Sequence, residues 1–509
     1  MGITVRKRVI RRQLGLAVLA GAAALSSGCM VGPDYVKPKP EAPDSYKENA
    51  DWKVAEPQDH LPRGKWWEIF GDPQLDNYVE QVEISNQNVA VAEAQFRQAR
   101  SLVQAARSAY FPIVSVGASV QRSSPSSTLG TRPVQRGVQT DYSLPLDLTW
   151  ELDLWGKLRR GLESAQATAQ ASAADLEGVR LSAQAELAQD YFQLRALDAD
   201  KKLLEESAAA YEKTLTLTKN RYASGVASRS DIALAETQLR STQAQAIDVG
   251  VARAQLEHAI AILMGKPPAI FSIPAAPLTA LPPPVPAGIP SELLERRPDV
   301  AGAERRIASA NAQIGVAKAA YYPTLTLGAS VGFETTDISR WISYPSRFWS
   351  IGPSLSQTLF DAGLRRAQTD STRAAYDASV ASYRQTVLTG FQEVEDNLAA
   401  LRILEREAEV QDAAVQAARQ SVVLITNQYK AGTVSYLDVV VAQAAALSNE
   451  RTAVDIQGRR ITASVLLVKA LGGGWMASDL PSNDDLASDK DLSKRADAAQ
   501  VPAANAKPQ

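Results

Sequence analysis

Cysteine is nearly absent from this 509-residue chain, which has one, Cys29, and histidine is scarce, with only His60 and His258. A single thiol excludes an intrachain disulfide, and so few nitrogen and sulfur ligands leave almost no material for a metal cluster. His60 lies in a polar stretch and His258 on an Ala/Leu-rich run, so both read as structural. Charge of one sign is also lacking: 54 basic residues meet 56 acidic ones at a pI of about 6.0, which offers nucleic acid no general electrostatic attraction. The apolar run from Leu14 to Leu25 is too short to cross a bilayer as a stable helix, and no other candidate for a membrane helix stands out. No nucleophile, base and ligand constellation marks an enzyme. The glycine cluster nearest to a nucleotide loop, Gly472-Gly473-Gly474, reads as a helix stop.

The amino terminus has a basic stretch (Arg6, Lys7, Arg8, Arg11, Arg12), the apolar run, and then Ser26-Ser27-Gly28-Cys29. This order is that of a secretory signal peptide over residues 1–28. Arg11-Arg12 belongs to its basic region, because the rest of a twin-arginine motif is missing. Small residues before the sole cysteine resemble a bacterial lipobox, with Ser26 where leucine is usual. The resemblance implies cleavage before Cys29 and a covalent diacylglyceryl and N-acyl lipid on it, with no other cofactor. Met30 in place of an aspartate implies sorting to the outer membrane. Acyl chains that contribute about 0.8 kcal/mol per buried methylene would anchor the chain durably. The alternative is an ordinary signal peptide followed by an incidental thiol.

Residues 29–65 are rich in Pro, Lys, Glu and Asp, too polar to pack a core, and are expected to form an extended tether. Beyond Trp66 the chain repeats itself. Asn220-Arg-Tyr222-Ala-Ser-Gly225 matches Asn427-Gln-Tyr429-Lys-Ala-Gly432, Asp231 matches Asp438, and Met264-Gly265 matches Leu471-Gly472, each at a spacing of 207. The spacing divides the chain into a first copy (66–266), a Pro-rich connection (267–290), a second copy (291–475) and a tail (476–509) expected to be disordered. Within each copy the periodicity changes in the same order. Gln74 to Ala109 and Asp299 to Ala320 have helical spacing, stopped at Tyr110-Phe-Pro112 and Tyr321-Tyr-Pro323. Strict alternation then takes over at Tyr142 to Leu154 and Leu325 to Phe333, with weaker partners at Val114 to Val120 and Trp349 to Leu359, predicting two hairpins of two strands. Leu158 to Arg221 follows without a proline, 64 positions that as a helix would extend roughly 100 Å, and Leu364 to Gln428 does the same. Such lengths call for coiled-coil packing, with Ala165, Ala169 and Ala173 permitting close approach. Each long helix is expected to turn back at Gly225 or Gly432.

Four strands cannot close a barrel within one chain, and an open sheet edge is not viable in lipid, so a barrel would have to be shared. Leu, Trp and Tyr on one strand face, opposite Asp147, Thr149, Glu151 and Asp153 on the other, fit lipid outside and a watery lumen inside. Three chains would give twelve strands. Alternation alone fits a soluble β-sandwich equally well. The secretion signal tips the reading to the barrel.

Val31-Gly-Pro-Asp-Tyr-Val-Lys-Pro38, Trp66-Trp67 with Phe70-Gly-Asp-Pro73-Gln-Leu75, Leu293-Leu294-Glu-Arg296-Arg297-Pro298-Asp299-Val300, Ala303-Glu304-Arg305, and Asn311-Ala-Gln-Ile-Gly315 resemble the outer-membrane factor lipoproteins of the TolC and NodT type. The resemblance runs from Cys29 to Trp475. It implies a mixed α and β membrane protein: a homotrimeric 12-stranded β-barrel, four strands per chain, continuing into a 12-helix coiled-coil tunnel across the periplasm. The implied function is the outer-membrane channel of a tripartite efflux system, passive and not enzymatic, working with a periplasmic adaptor and an inner-membrane pump. By position relative to the tip glycines, Asp438 corresponds to an acid that narrows the pore, and Asp231 with Tyr429 to a hydrogen-bonded pair that ties the periplasmic gate shut. Arg221, Gly225, Lys430 and Gly432 would form the adaptor-docking tips. Val434 and Val441 stand where some relatives carry charge, which implies a more hydrophobic constriction. Ser228 to Asp231 and Ser435 to Asp438 also have the spacing of a capping box, so the acids have a structural role available to them. A non-conducting periplasmic scaffold lipoprotein and a type I protein secretion duct are the alternative functions.

Overall fold

The computed structural model describes residues 30–38, 43, 45–49, 65–124, 138–278, 280–283 and 294–487. Cys29, His60 and the signal peptide lie outside the described residues. A short 3-10 turn at Trp66–Phe70 leads into α1 (Pro73–Ser85) and α2 (Gln87–Ser108). The single helix expected from Gln74 to Ala109 is therefore two, and Asn86 is the reason. Its backbone is extended, and its side-chain oxygen accepts from the amides of Asn88 and Val89, which caps α2. Its side-chain nitrogen donates to the Leu263 carbonyl at 2.7 Å. The apolar spacing runs through this break, so periodicity cannot reveal it.

The strands are β1 (Ile113–Val116), β2 (Ser119–Ser123) and β3 (Gln139–Leu152), followed after the first helical hairpin by β4 (Thr324–Thr335) and β5 (Arg347–Ser356). They form one antiparallel sheet rather than two separate hairpins, because β3 also pairs with β4 from Tyr142↔Thr335 to Leu152↔Leu325. β1 and β2 keep one register on β3, Val116↔Leu146 and Ser119↔Ser143. They are a single edge strand interrupted opposite Pro145, which has no amide to donate, while Gly117 still donates to the Pro145 carbonyl at 3.0 Å.

The long helices are α3 (Lys157–Ala223, 67 residues) and α6 (Leu364–Ala431, 68 residues), each roughly 100 Å. They return through α4 (Arg229–Leu263) and α7 (Tyr436–Ala470) after turns at Gly225 and Gly432, whose φ values of 72° and 78° suit glycine. Between the hairpins, α5 (Pro298–Ala319) packs on α3 and α6, and α3 also touches α7. Buried alanines along α3, among them Ala169, Ala174, Ala185 and Ala188, let these neighbours approach closely. The main core lies where the helices cross: Trp66, Trp67, Phe70 and Leu75 meet Tyr191, Phe192, Leu194, Ile260, Leu398, Ile461 and Val468. Among the described residues no helix is long and apolar enough to cross a membrane.

Two sequence expectations need correction at the chain's ends. Residues 30–38 and 45–48 are docked rather than a free tether. The Val31 amide donates to the Trp155 carbonyl at 3.0 Å, Asp34 pairs with Arg160 at 2.8 Å, and Tyr46 is buried in the main core. Residues 476–487 of the tail are ordered. A short helix α8 (Asn483–Ala487), capped by Ser482 and Asp485, seats Leu486 among Ala99, Val103 and Ala169. Residues 488–509 lie outside the described residues.

Candidate functional site: a two-faced sheet and the helical tips

Alternation along the strands becomes continuous rows across the sheet. Val116, Leu146, Val331 and Trp349 stand in one row and Val114, Leu148, Ala329 and Ile351 in the next, while Ser115, Asp147, Ser330 and Ser350 form the polar row between them. The apolar face is uncovered: Trp349 is 77% exposed and Val116 71%. A contiguous exposed apolar surface of this kind marks contact with lipid or another chain. Asp147 and Glu151 lie on the polar face, and Glu151 pairs with Lys157 at 3.0 Å. Asp153 is not on the strand, which ends at Leu152. Its carboxylate accepts from the amides of Leu158 and Arg159 and from the Arg159 guanidinium, so it caps the start of α3.

At the other end of the hairpins, the two tips are tied to each other. The Arg221 guanidinium lies 4.7 Å from the Tyr429 ring centre and donates to the Lys430 carbonyl at 3.0 Å. Tyr429 meets Tyr436 edge-on at 5.4 Å, and both are buried with Val439, Leu215 and Leu239. Arg221 is therefore half-buried and binds tip to tip rather than projecting outward, whereas Gly225, Lys430 and Gly432 are exposed. Tyr436 escaped the sequence reading. An aromatic at the first position of the returning helix, facing the aromatic near the end of α6, was the available signal.

The tip acids serve the helix starts. Asp231 accepts from the Ser228 amide at 2.9 Å and its own amide donates to Ser228 Oγ at 3.1 Å, closing a capping box. Asp438 accepts from the Ser435 amide at 2.9 Å and from Ser435 Oγ at 2.7 Å. These bonds from Ser435 hold its carboxyl below the usual carboxylate range, so it is charged at neutral pH. The expected pair between Asp231 and Tyr429 is not formed within the chain, because Asp231 is engaged with Ser228 and the buried Tyr429 hydroxyl has no partner. Val441 is 60% exposed beside Asp438, while Val434 packs against the tyrosine cluster.

A sheet with one bare apolar and one polar face, leading directly into helical hairpins of this length, is the mixed α and β architecture of bacterial outer-membrane channels. The chain belongs to the outer membrane efflux protein family, whose profile matches residues 78–266 and 289–473. It is similar to the probable efflux pump outer membrane protein TtgC of Pseudomonas putida, 30% identical over 463 residues that cover 90% of this chain and 96% of that one. It is also similar to the pyoverdine export outer membrane protein OpmQ of Pseudomonas aeruginosa, 30% identical over 418 residues, 81% and 88% of the two chains. Among solved structures, the outer-membrane channel OprN matches with a TM-score of 0.82 at 32% identity, covering 88% of this chain and all of that one. The open-state MtrE channel of Neisseria gonorrhoeae matches with a TM-score of 0.78 at 27% identity, covering 89% of this chain and 100% of that one. The chain is thus an outer membrane component of the efflux type, from a family of transport conduits rather than enzymes.

Proposed function

We propose that three copies of this chain form the exit duct of a tripartite efflux system, receiving solutes from an inner-membrane pump through a periplasmic adaptor and gating them at the helical tips. The observation that carries this reading is the sheet: four strand positions, an apolar face on one side, a polar face on the other, and two edges, β1/β2 and β5, unpaired among the described residues. Unpaired backbone groups in lipid cost several kcal/mol each, so the edges need partners, and copies of the same sheet supply them. Three sheets close twelve strands around a polar lumen with Asp147 and Glu151 facing water. The helices below extend the lumen by roughly 100 Å. Names of relatives range from toluene to pyoverdine export, which supports a duct that leaves selection to the pump.

At the tips, three copies of Asp438 would face one another, all charged, and set the narrowest ring. The diacylglyceryl and N-acyl lipid on Cys29 adds an anchor to the barrel. Purified protein in planar bilayers should show unitary current steps, and Asp438→Ala should enlarge them or raise antibiotic permeability in cells. Absence of current from both proteins would overturn the duct; unchanged leakage in a conducting Asp438→Ala protein would leave the acid only its capping role. Labelled palmitate should mark the parent but not Cys29→Ala, and equal labelling would remove the anchor.

A further inference from the structure

We propose that the docked amino-terminal segment is a brace that positions the α6–α7 hairpin, and that Glu48 and Arg402 are its positioning residues. The inference rests on the duct reading given above.

The upper attachment of the segment is on the membrane side of the helices. Val31 is held by the Trp155 carbonyl, Asp34 by Arg160, the Pro33 carbonyl by Asn311 at 3.0 Å, and the Tyr35 hydroxyl by Glu304. Gly32 passes so close to α5 that a Cβ there would lie 2.6 Å from Gly315 Cα. The lower attachment is on α6 near its crossing with the core. The amides of Lys47 and Glu48 both donate to the Glu395 carboxylate, at 2.7 and 3.0 Å, and Arg402 pairs with the Glu48 carboxylate, both side chains being half-buried. Tyr46, between these attachments, is 3% exposed in the main core. One segment thus fastens the start of α3 and the length of α5 to α6.

The position of the lower attachment matters mechanically. Arg402 stands 30 positions before Gly432, about 45 Å of helix at 1.5 Å per residue, so a rotation of α6 by about 5° at this root moves its tip by about 4 Å. Arg221 and Tyr429, at that tip, hold the two hairpins together through contacts a displacement of that size would break. A brace at Arg402 therefore biases the gate without touching it.

The test uses the full chain with three variants: Glu48→Gln, Arg402→Gln, and the exchange Glu48→Arg with Arg402→Glu. Each is compared with the parent for permeability of cells to a glycopeptide antibiotic and for single-channel open probability, at matched amounts of folded protein in the outer membrane. Each single change should raise open probability roughly fivefold, the shift expected when one half-buried ion pair stops favouring the closed state, and the exchange should bring it back to the parent value. Single variants that conduct like the parent, or an exchange variant that leaks as they do, would overturn the brace. If the single variants fail to reach the membrane, the exchange decides alone: parent-like amount and leak support the brace, leak at parent-like amount removes it. A silent parent and a silent Asp438→Ala protein would instead remove the duct itself, so the two failures are told apart.

Discussion

The two helical hairpins carry the same residue types at their roots and use them differently. At the root of α3–α4, Asp198 is almost fully buried and accepts from Arg195 at 3.1 Å, from Arg253 at 2.6 Å and from the Ala276 amide at 3.1 Å. Arg195 also donates to the Pro274 carbonyl and Gln74, and Arg253 to the Ile273 carbonyl and Glu257. The counterparts 207 positions on are Arg402, Glu405 and Arg460. Here the carboxylate of Glu405 is 64% exposed and 3.8 Å from Arg460, whose Nε is buried without a partner, as is Ser464 Oγ in the place of Glu257. What separates them is a piece of backbone. The connection after α4 brings the groups of residues 273–276 into the first cluster and closes it, and among the described residues the second cluster receives no such closure. The first hairpin is fastened by a sealed charge network, the second by the amino-terminal segment on Arg402 and Glu395. Charged side chains alone do not make a rigid root; the polar backbone delivered to them does.

The largest test of this contrast is Asp198→Ala. It takes a carboxylate partner from both Arg195 and Arg253, while Arg253 keeps Glu257, and should cost about 3 kcal/mol in unfolding measurements. A cost no greater than that of Glu405→Ala would break the comparison. Next comes Asp190, whose counterpart in the second half is Asn397, with its side chain bonded to the Glu393 carbonyl at 2.6 Å. Burial, and then the nearby Glu186, push the Asp190 carboxyl up to about 6. The folded state therefore favours the protonated form: its stabilisation is fully present below the unfolded value near 4 and is lost as pH rises through 6. Asp190→Asn should raise stability by about 2 kcal/mol at pH 8 and by nothing near pH 4, read as thermal unfolding across pH; a gain independent of pH would contradict the assignment. The smallest effect belongs to Glu405→Ala, below about 1 kcal/mol for an exposed, long-range pair.

Much of the architecture was legible because it is periodic. The switch from spacings of three and four to two placed β3 and β4, and Gly225 and Gly432 located the turns, since a left-handed turn residue is a local requirement. The break at Asn86 was hidden because its cap depends on one side chain folding back on the next amides. Asp153 was misread for a related reason: alternation continues two positions past the end of β3, to Leu154. The docked ends of the chain were invisible in composition. A few residues hold them, Asp34, Tyr35 and Tyr46 at one end and Leu486 at the other, against partners far away in sequence. At the tips, the residues were found but not their partners. Arg221 was read as a surface group because nothing local in the sequence reports a ring stacked on it from the other hairpin.

The pairing of β3 with β4 has a kinetic consequence. Leu148 and Ala329 lie opposite each other although ~180 residues separate them, and all of α3, α4 and α5 lies between. Contacts of such high order form late, because the loop-closure entropy must be overcome before any ladder hydrogen bond is gained. Neither half can finish its sheet during synthesis by itself. The helices must first fold back and bring the two strand pairs within reach, so the order of assembly runs from the helical hairpins toward the sheet. A chain arrested between α5 and β4 would present a hairpin with its apolar face bare and its partner not yet made, which is the state most exposed to aggregation.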